Sequence, residues 1–142
     1  MKGFVKIEII KDGSVTGVIE GPNIITRYTQ ELLSKLLVGA PGTVILSKVG
    51  FGTGSSTPTP DDTGLTDAYI KPITNYSFPE PGVICINYTL EENEMNGITI
   101  REIGLFTSDN KLIARKVLAG IEKQDILKLN STRQLQLFTS EV

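Results

Sequence analysis

The residues with most scope for chemistry lie in "EENEMNGITIREIGLFTSDNKLIARKVLAG", from Glu91 to Gly120. Glu91, Glu92 and Glu94 crowd beside Asn96-Gly97, and Asp61-Asp62 form a second acidic pair, so the two-carboxylate chemistry of a glycoside hydrolase is formally available. Such an enzyme also needs a sugar groove, usually lined by aromatics, and this chain has no Trp, four Tyr and five Phe. Solvated turns are the simpler reading of these acids. Ser108-Asp109-Asn110-Lys111 matches both Ser-x-x-Lys and Ser-Asp-Asn of penicillin-recognising enzymes. Those motifs need separate elements with a helix beneath the serine, whereas here both fall in one turn. There is no histidine, which excludes imidazole-based triads and removes the commonest zinc and iron ligand.

Metal and phosphate sites fare no better. Asp61, Asp62 and nearby carbonyls suggest a calcium site, but their spacing matches no EF-hand loop. Gly50, Gly52 and Gly54 in "GFGTGS" follow a G-x-G-x-G spacing with no helix behind them, which favours tight turning at a strand end over a phosphate cradle. Cys85 is the single cysteine, in the apolar run "VICINYTL", so it reads as a buried, unreactive thiol. Neither a cofactor nor a metal is expected.

A chain of 142 residues fits one domain, 1–142, with length enough for a core without disulfides. "MKGFVKIEIIKDG" reaches charged residues too soon for a signal peptide, and no stretch approaches the ~20 apolar residues of a membrane span. Synthesis in the cytoplasm without membrane insertion is therefore expected, and the Asn-X-Ser/Thr triplets at Asn75, Asn87 and Asn130 read as chance matches. Net charge is -2, which gives no footprint for nucleic acid. Residues 61–94 carry 7 acidic and 1 basic side chain, against an excess of basic groups on either side. This acidic band is either a solvated loop face or a surface complementary to a basic one on another subunit.

The elements that must position these residues are mostly strands. "FVKIEII" and "SVTGVI" flank Lys11-Asp12-Gly13, the signature of a hairpin. Thr26 can cap a helix near 27–38 whose Tyr28, Leu32, Leu33, Leu36 and Leu37 recur at helical spacing, with Gly39 and Pro41 to stop it. The helix is expected to pack across an open end or face of a sheet. A strand over 43–51 leads to the Gly, Ser, Thr and Pro-rich loop "GTGSSTPTPDDTGL". From residue 68 the pattern is almost wholly strand, with Ile84, Ile86, Tyr88 and Leu90 on one face and Cys85, Asn87 and Thr89 on the other, and with Leu135 and Leu137 repeating the scheme. Pro72 demotes its run, 68–78, to an edge or bulged strand. Asn96-Gly97 and Ser108-Asp109-Asn110 read as two turns of a three-strand meander. The expected fold is mainly β, an antiparallel sandwich or distorted barrel of about eight short strands with one helix.

The order of these pieces carries a resemblance. "GPNIITRYTQELLSKLLVG", "VGFGTGSSTPTPDDTGL", "INYTLEENEMNGITIREIGLFTSDNKLIARKVL" and "KQDILKLNSTRQLQLF" together resemble the tail-fibre, tail-collar and baseplate-associated proteins of tailed bacteriophages and related contractile particles, over residues 20–138. The signature is an asparagine before a helix, a "GTG" loop ending in "DT-L", an "E-NG-x-I-x-E-x-GLF" hairpin and an "L-x-AR" strand. It falls here on Gly52, Gly54, Asp62, Thr63, Leu65, Glu94, Asn96, Gly97, Glu102, Gly104, Leu105, Phe106 and Arg115. Glu94, Glu102 and Arg115 are expected to form ion pairs across adjacent strands, with Gly104 allowing close backbone approach before Leu105 and Phe106 enter the core. An exposed or interface position for Arg115 is the alternative.

The resemblance implies a non-enzymatic virion protein of the tail that self-associates as a trimer and joins fibre or receptor-binding parts to the baseplate. In relatives the unit looks like the amino-terminal anchor of a longer fibre; here the sequence stops after it, which favours a small adaptor over receptor recognition. The competing expectations are a carbohydrate-binding module, meeting a host-surface glycan through the 52–65 loop and the 91–97 acidic turn, and an acid-base glycosidase working through Glu91, Glu92 or Glu94.

Overall fold

The computed structural model describes residues 1–137, and nine strands and one helix follow in the order β1 (Lys2–Lys11), β2 (Ser14–Ile25), α1 (Arg27–Leu37), β3 (Leu46–Gly52), β4 (Tyr69–Pro72), β5 (Asn75–Glu80), β6 (Val83–Leu90), β7 (Thr99–Thr107), β8 (Leu112–Glu122) and β9 (Leu127–Gln136). The strands form one antiparallel sheet in the order β4-β3-β7-β8-β2-β1-β9-β6-β5. The expected mainly-β distorted barrel with one helix is what is observed, as a curled half-barrel.

The curl has a covalent cause and a packing cause. β2 pairs with β1 along its length but meets β8 only through Ile24 and Ile25, so the sheet bends there into two halves. The two outermost strands, β4 and β5, are consecutive in the chain and separated only by Ile73 and Thr74, so the sheet cannot flatten without tearing its own edges apart. Inside the curl lie Val5 and Ile7 of β1, Val49 and Phe51 of β3, Ile86, Tyr88 and Leu90 of β6, Ile103 and Leu105 of β7, and Leu129 and Leu135 of β9. Burying each such aliphatic or aromatic side chain is worth about 1.5–3 kcal/mol. Phe51 and Tyr88 meet edge to face across the halves, with ring centroids 5.8 Å apart.

The Asp12-Gly13 turn closes the β1–β2 hairpin, both residues at positive φ (51° and 77°), as a two-residue turn matching strand twist requires. Pro72 ends the edge strand β4, and the 68–78 run divides there into β4 and β5. Leu127–Gln136 is one unbroken strand, β9; Phe138 and Thr139 lie outside the described residues. Ile86, Tyr88 and Leu90 are buried on one face of β6, as their alternation predicts, while Cys85 on the other face is only half-buried, since that face has a polar neighbour on each side, Gln134 of β9 and Ser77 of β5.

Two expectations are corrected. The three-strand meander does not exist: β6 lies between β9 and β5, and β7 between β3 and β8, so Asn96-Gly97 closes no hairpin. Residues 91–98 instead cross from one half of the sheet to the other, with Met95 and Gly97 at positive φ. Of the two turns expected in the meander, only the one at 108–111, between β7 and β8, closes a hairpin. The helix stripe is also not fully buried. Leu32 is buried, but Leu36 is 40 % and Leu37 86 % exposed. The reason is where α1 attaches. Thr26 precedes it, but the Thr26 hydroxyl donates to the Leu112 carbonyl (2.7 Å) rather than to the helix, and Thr29 donates to Ile113 (3.1 Å). The first turns are thereby sewn to the start of β8, and the last turn projects away.

Candidate functional site

Strand β7 is buried on both faces from Glu102 to Thr107. Ile103 and Leu105 face the core, so Glu102, Gly104 and Phe106 lie on the outer face by alternation. The 53–68 loop covers that face. Gly50 of β3 stands opposite Gly104 of β7, and Leu65 Cδ1 lies 3.4 Å from where a Cβ would sit on either residue. Two facing glycines thus make a notch occupied by Phe106 at Gly50 (2.5 Å from its Cβ position) and by Leu112 Cδ1 and the Ala114 carbonyl at Gly104 (2.9 and 3.1 Å), with Leu65 of the loop in ordinary contact with both.

The polar part of the attachment is an ionic network. Glu102, 1 % exposed, accepts from Arg115 Nε at 2.8 Å through Oε1, and from the backbone N–H groups of Gly54 and Thr66 at 2.7 Å each through Oε2. Arg115 spans onward to Asp62 Oδ2 (2.9 Å) and to Ser56 Oγ (3.3 Å). Asp62 also accepts from the Thr59 amide (3.0 Å) and hydroxyl (3.1 Å). Burial pushes the Asp62 carboxyl up, but the Thr59 amide, Arg115 and the Thr59 hydroxyl outweigh it and hold the group below its usual value. Burial likewise pulls Arg115 down, and Glu102 and Asp62 more than reverse it. A Cβ on Gly54 would sit 2.6 Å from Glu102 Oε2 and 2.7 Å from Thr66 Oγ1, and one on Gly52 2.6 Å from the same oxygen and 2.8 Å from the Thr66 carbonyl. Gly52 and Gly54 of "GFGTG" are there because a carboxylate lies against their backbone. Thr63 is exposed on the loop and lines a cleft of about 420 Å³ with Asp61, Asp62, Glu102 and Arg115.

The structure therefore brings together Gly52, Gly54, Asp62, Leu65, Glu102, Gly104 and Arg115, with Leu105 in the core behind them and Phe106 against Gly50. Glu94, Asn96 and Gly97 belong elsewhere, and the expected pairing of Glu94 with this group is corrected. Glu94 binds Lys71 (2.7 Å), the Glu91 amide (2.9 Å) and the Tyr69 hydroxyl. Burial raises the Glu94 carboxyl, but Lys71, Tyr69 and the Glu91 amide outweigh it and leave it lowered, while the Tyr69 phenol is pushed up chiefly by Glu94. Asn96 Oδ1 accepts from Lys123 Nζ at 3.0 Å, and Gly97 N–H donates to the Lys123 carbonyl at 2.9 Å. Lys123 is 1 % exposed and is completed by the carbonyls of Glu92 and Gln124. Its burial lowers its pKa although Glu94, Glu92, Asp125 and Glu91 surround it.

Sequence reasoning missed Lys71, Lys123 and Arg133. Arg133 is 1 % exposed inside the curl, in register with Val5 and Ile86, and its closest polar partner among the described residues is the Tyr88 hydroxyl at 3.4 Å. Its Nε and NH2 and the neighbouring Ser131 Oγ have no hydrogen-bond partner among the described residues. The signal was present in "LKLNSTRQLQL", where strict alternation puts Ser131 and Arg133 on the same face as Leu129 and Leu135.

Asp62, Glu94 and Glu102 are engaged by the chain's own donors, while Glu91 and Glu92 stay exposed, so what the Glu102–Arg115–Asp62 network does chemically is fasten a loop to a sheet. Among the described residues no three His, Cys, Asp or Glu side chains converge as a metal site, and no helix is long and apolar enough to cross a membrane. Comparison with protein families, with curated proteins and with solved structures finds no match.

Proposed function

We propose that this chain is a structural component of a phage tail or a related contractile particle, a fibre-attachment, collar or baseplate adaptor that works by protein–protein assembly in the virion tail and has no catalytic role. The observation that carries this reading is the destination of the motif residues. Gly52, Gly54, Asp62, Leu65, Glu102, Gly104 and Arg115 are consumed in pinning one loop to β7 and β8, which is what a scaffold needs and leaves no free acid, base or nucleophile among them. The test is deletion of the gene from the particle-producing genome, followed by negative-stain microscopy and mass spectrometry of purified particles. Tails lacking fibres or their attachment are expected, with the protein present in wild-type particles. Complete particles without it would overturn the reading.

A carbohydrate-binding module is the second reading, and one feature favours it. A groove of about 510 Å³ on β6 and β9 is lined by Asn75, Asn87, Thr89, Asn130 and Thr132, amides and hydroxyls of the kind that bind sugar hydroxyls. The surface first expected to do this is less suited, because Asp62 and Glu94 are held in ion pairs. A glycan array probed with the purified chain separates the two readings, binding abolished by Asn87→Ala favouring the second.

A further inference from the structure

Three neighbouring side chains inside the curl carry more hydrogen-bond donors than their surroundings can accept. Arg133 and Ser131 of β9 are 1 % and 2 % exposed, and Tyr88 of β6 is 6 % exposed. Ser131 stands directly opposite Tyr88, and Arg133 lies two residues along, opposite Ile86. Arg133 NH1 donates to the Tyr88 hydroxyl at 3.4 Å, so the phenolic oxygen is used as an acceptor and its own proton points elsewhere. Arg133 Nε and NH2 and Ser131 Oγ have no partner among the described residues. The residues in register on β1, Val5 opposite Arg133 and Ile7 opposite Ser131, are apolar. Glu8 is the one acid of β1, β6 and β9, and alternation places it on the other face, opposite Asn130. The other deeply buried cations are provided for: Arg115 reaches the carboxylates of Glu102 and Asp62, and Lys123 reaches three oxygens.

We infer that the interior of the curl binds a small monovalent anion, a halide such as chloride, held by Arg133 Nε and NH2 with the Ser131 and Tyr88 hydroxyls. The ligand class follows from the donor set. A guanidinium donates and never accepts, and both hydroxyls have a proton to give, so the species that completes the cluster is one that only accepts. A single negative charge neutralises Arg133, whereas a divalent anion would leave an excess charge buried among Val5, Ile7 and Ile86. The near-complete burial of all three side chains excludes a bulky anion, and the apolar walls favour one that gives up its water cheaply. The ion would touch β9 and β6 together, and so fasten the last strand to its neighbour from the inside. The inference is independent of the assembly reading, which the gene deletion judges by itself.

The test is thermal unfolding of the full chain at constant ionic strength, with sodium gluconate, whose anion is too large for the cluster, replaced stepwise by sodium chloride. A ligand that binds only the folded state raises Tm with the logarithm of its concentration, so the wild type is expected to gain about 3–6 °C for each tenfold rise in chloride above its Kd. Arg133→Met is expected to show no such gain and, in gluconate alone, to be no less stable than the wild type. Ser131→Ala, which removes one donor and leaves the charge, is expected to need more chloride for the same gain. Circular dichroism checks that both variants fold. Crystals of the wild type grown in bromide give a readout that needs no variant, an anomalous peak in contact with the Arg133 guanidinium. A wild-type Tm indifferent to the exchange, as water in the anion's place would give, overturns the inference. So does an equal gain in Arg133→Met, which would be a general salt effect, or a bromide crystal with no peak at Arg133.

Discussion

Replacing Glu102 by Gln keeps the shape of a buried side chain and removes its charge, so it isolates what the carboxylate does. Glu102 receives three donors: two backbone N–H groups on Oε2 and the Arg115 guanidinium on Oε1. An amide has one acceptor and one donor end. Turned either way, its NH2 meets N–H groups, from the Gly54 and Thr66 backbone or from Arg115, so at least one buried donor loses its acceptor. Arg115, 3 % exposed, then keeps Asp62 at 2.9 Å as its one carboxylate partner. Breaking a buried pair by removing one partner costs about 3–5 kcal/mol. Asp62 recovers part of this, so the expected loss is about 3 kcal/mol, or roughly 6–12 °C in Tm for a domain of this size. Urea denaturation is the assay, since guanidinium chloride would screen the charges being measured. Glu102→Met combined with Arg115→Met is expected to be less damaging than the sum of the two single changes, because neither charge is then left buried alone. The 53–68 loop of Glu102→Gln should also be cut by protease faster than in the wild type. A loss below about 1 kcal/mol, or strict additivity in the double variant, would refute the claim that this network holds the loop.

Gly54→Ala places a methyl 2.6 Å from Glu102 Oε2, and a destabilisation of about 1–3 kcal/mol is expected in the same urea assay; a neutral change would mean the loop does not sit on the carboxylate. In halide-free buffer Arg133→Met removes a buried cation with no carboxylate partner among the described residues, and it should leave stability unchanged or raise it by about 1–2 kcal/mol, whereas a large loss would show that the guanidinium has a partner in solution. Asp62 and Glu94 are both held below their usual values, so the stability they contribute is complete above their unfolded values near about pH 4 and is lost as pH falls through the lowered folded ones. The urea midpoint should therefore drop on acidification from neutral pH toward about pH 3, and drop less in Glu94→Gln, which lacks one of the two groups; parallel profiles would refute this assignment.

Much of this was legible in the sequence because local chemistry determined it. Asp12-Gly13 permits the positive φ a two-residue hairpin needs, Pro72 cannot donate within a ladder, and Glu102 and Arg115 sit in neighbouring strands joined by the 108–111 turn. Where the reading failed, partners distant in sequence decided. Asn96-Gly97 does form a turn, but a turn does not say which strands pair, and here β6 and β7 each found others. Helical spacing put Leu36 and Leu37 in one stripe without showing that the sheet ends before reaching them. Glu94 would pair across adjacent strands with Arg115 only if the meander formed; instead Lys71, brought in by β4 at the sheet edge, is the cation that reaches it.

The placement of β9 between β1 and β6 has a consequence for synthesis. Residues 127–136 are made after every other strand, yet one edge of β9 pairs with Lys2 to Lys11 and the other with Val83 to Leu90. While the ribosome is still adding β8, the β1–β2 and β5–β6 hairpins have no neighbour in this half of the sheet, and isolated two-stranded ribbons are marginal in water. The other half, built from β3, β4, β7 and β8 with the end of β2, needs nothing beyond Glu122 and can order first. The emerging chain thus carries one consolidated half and two waiting ribbons, with Val5 and Ile7 on one and Ile86 and Leu90 on the other still uncovered, until ten late residues slot between them and lock both at once.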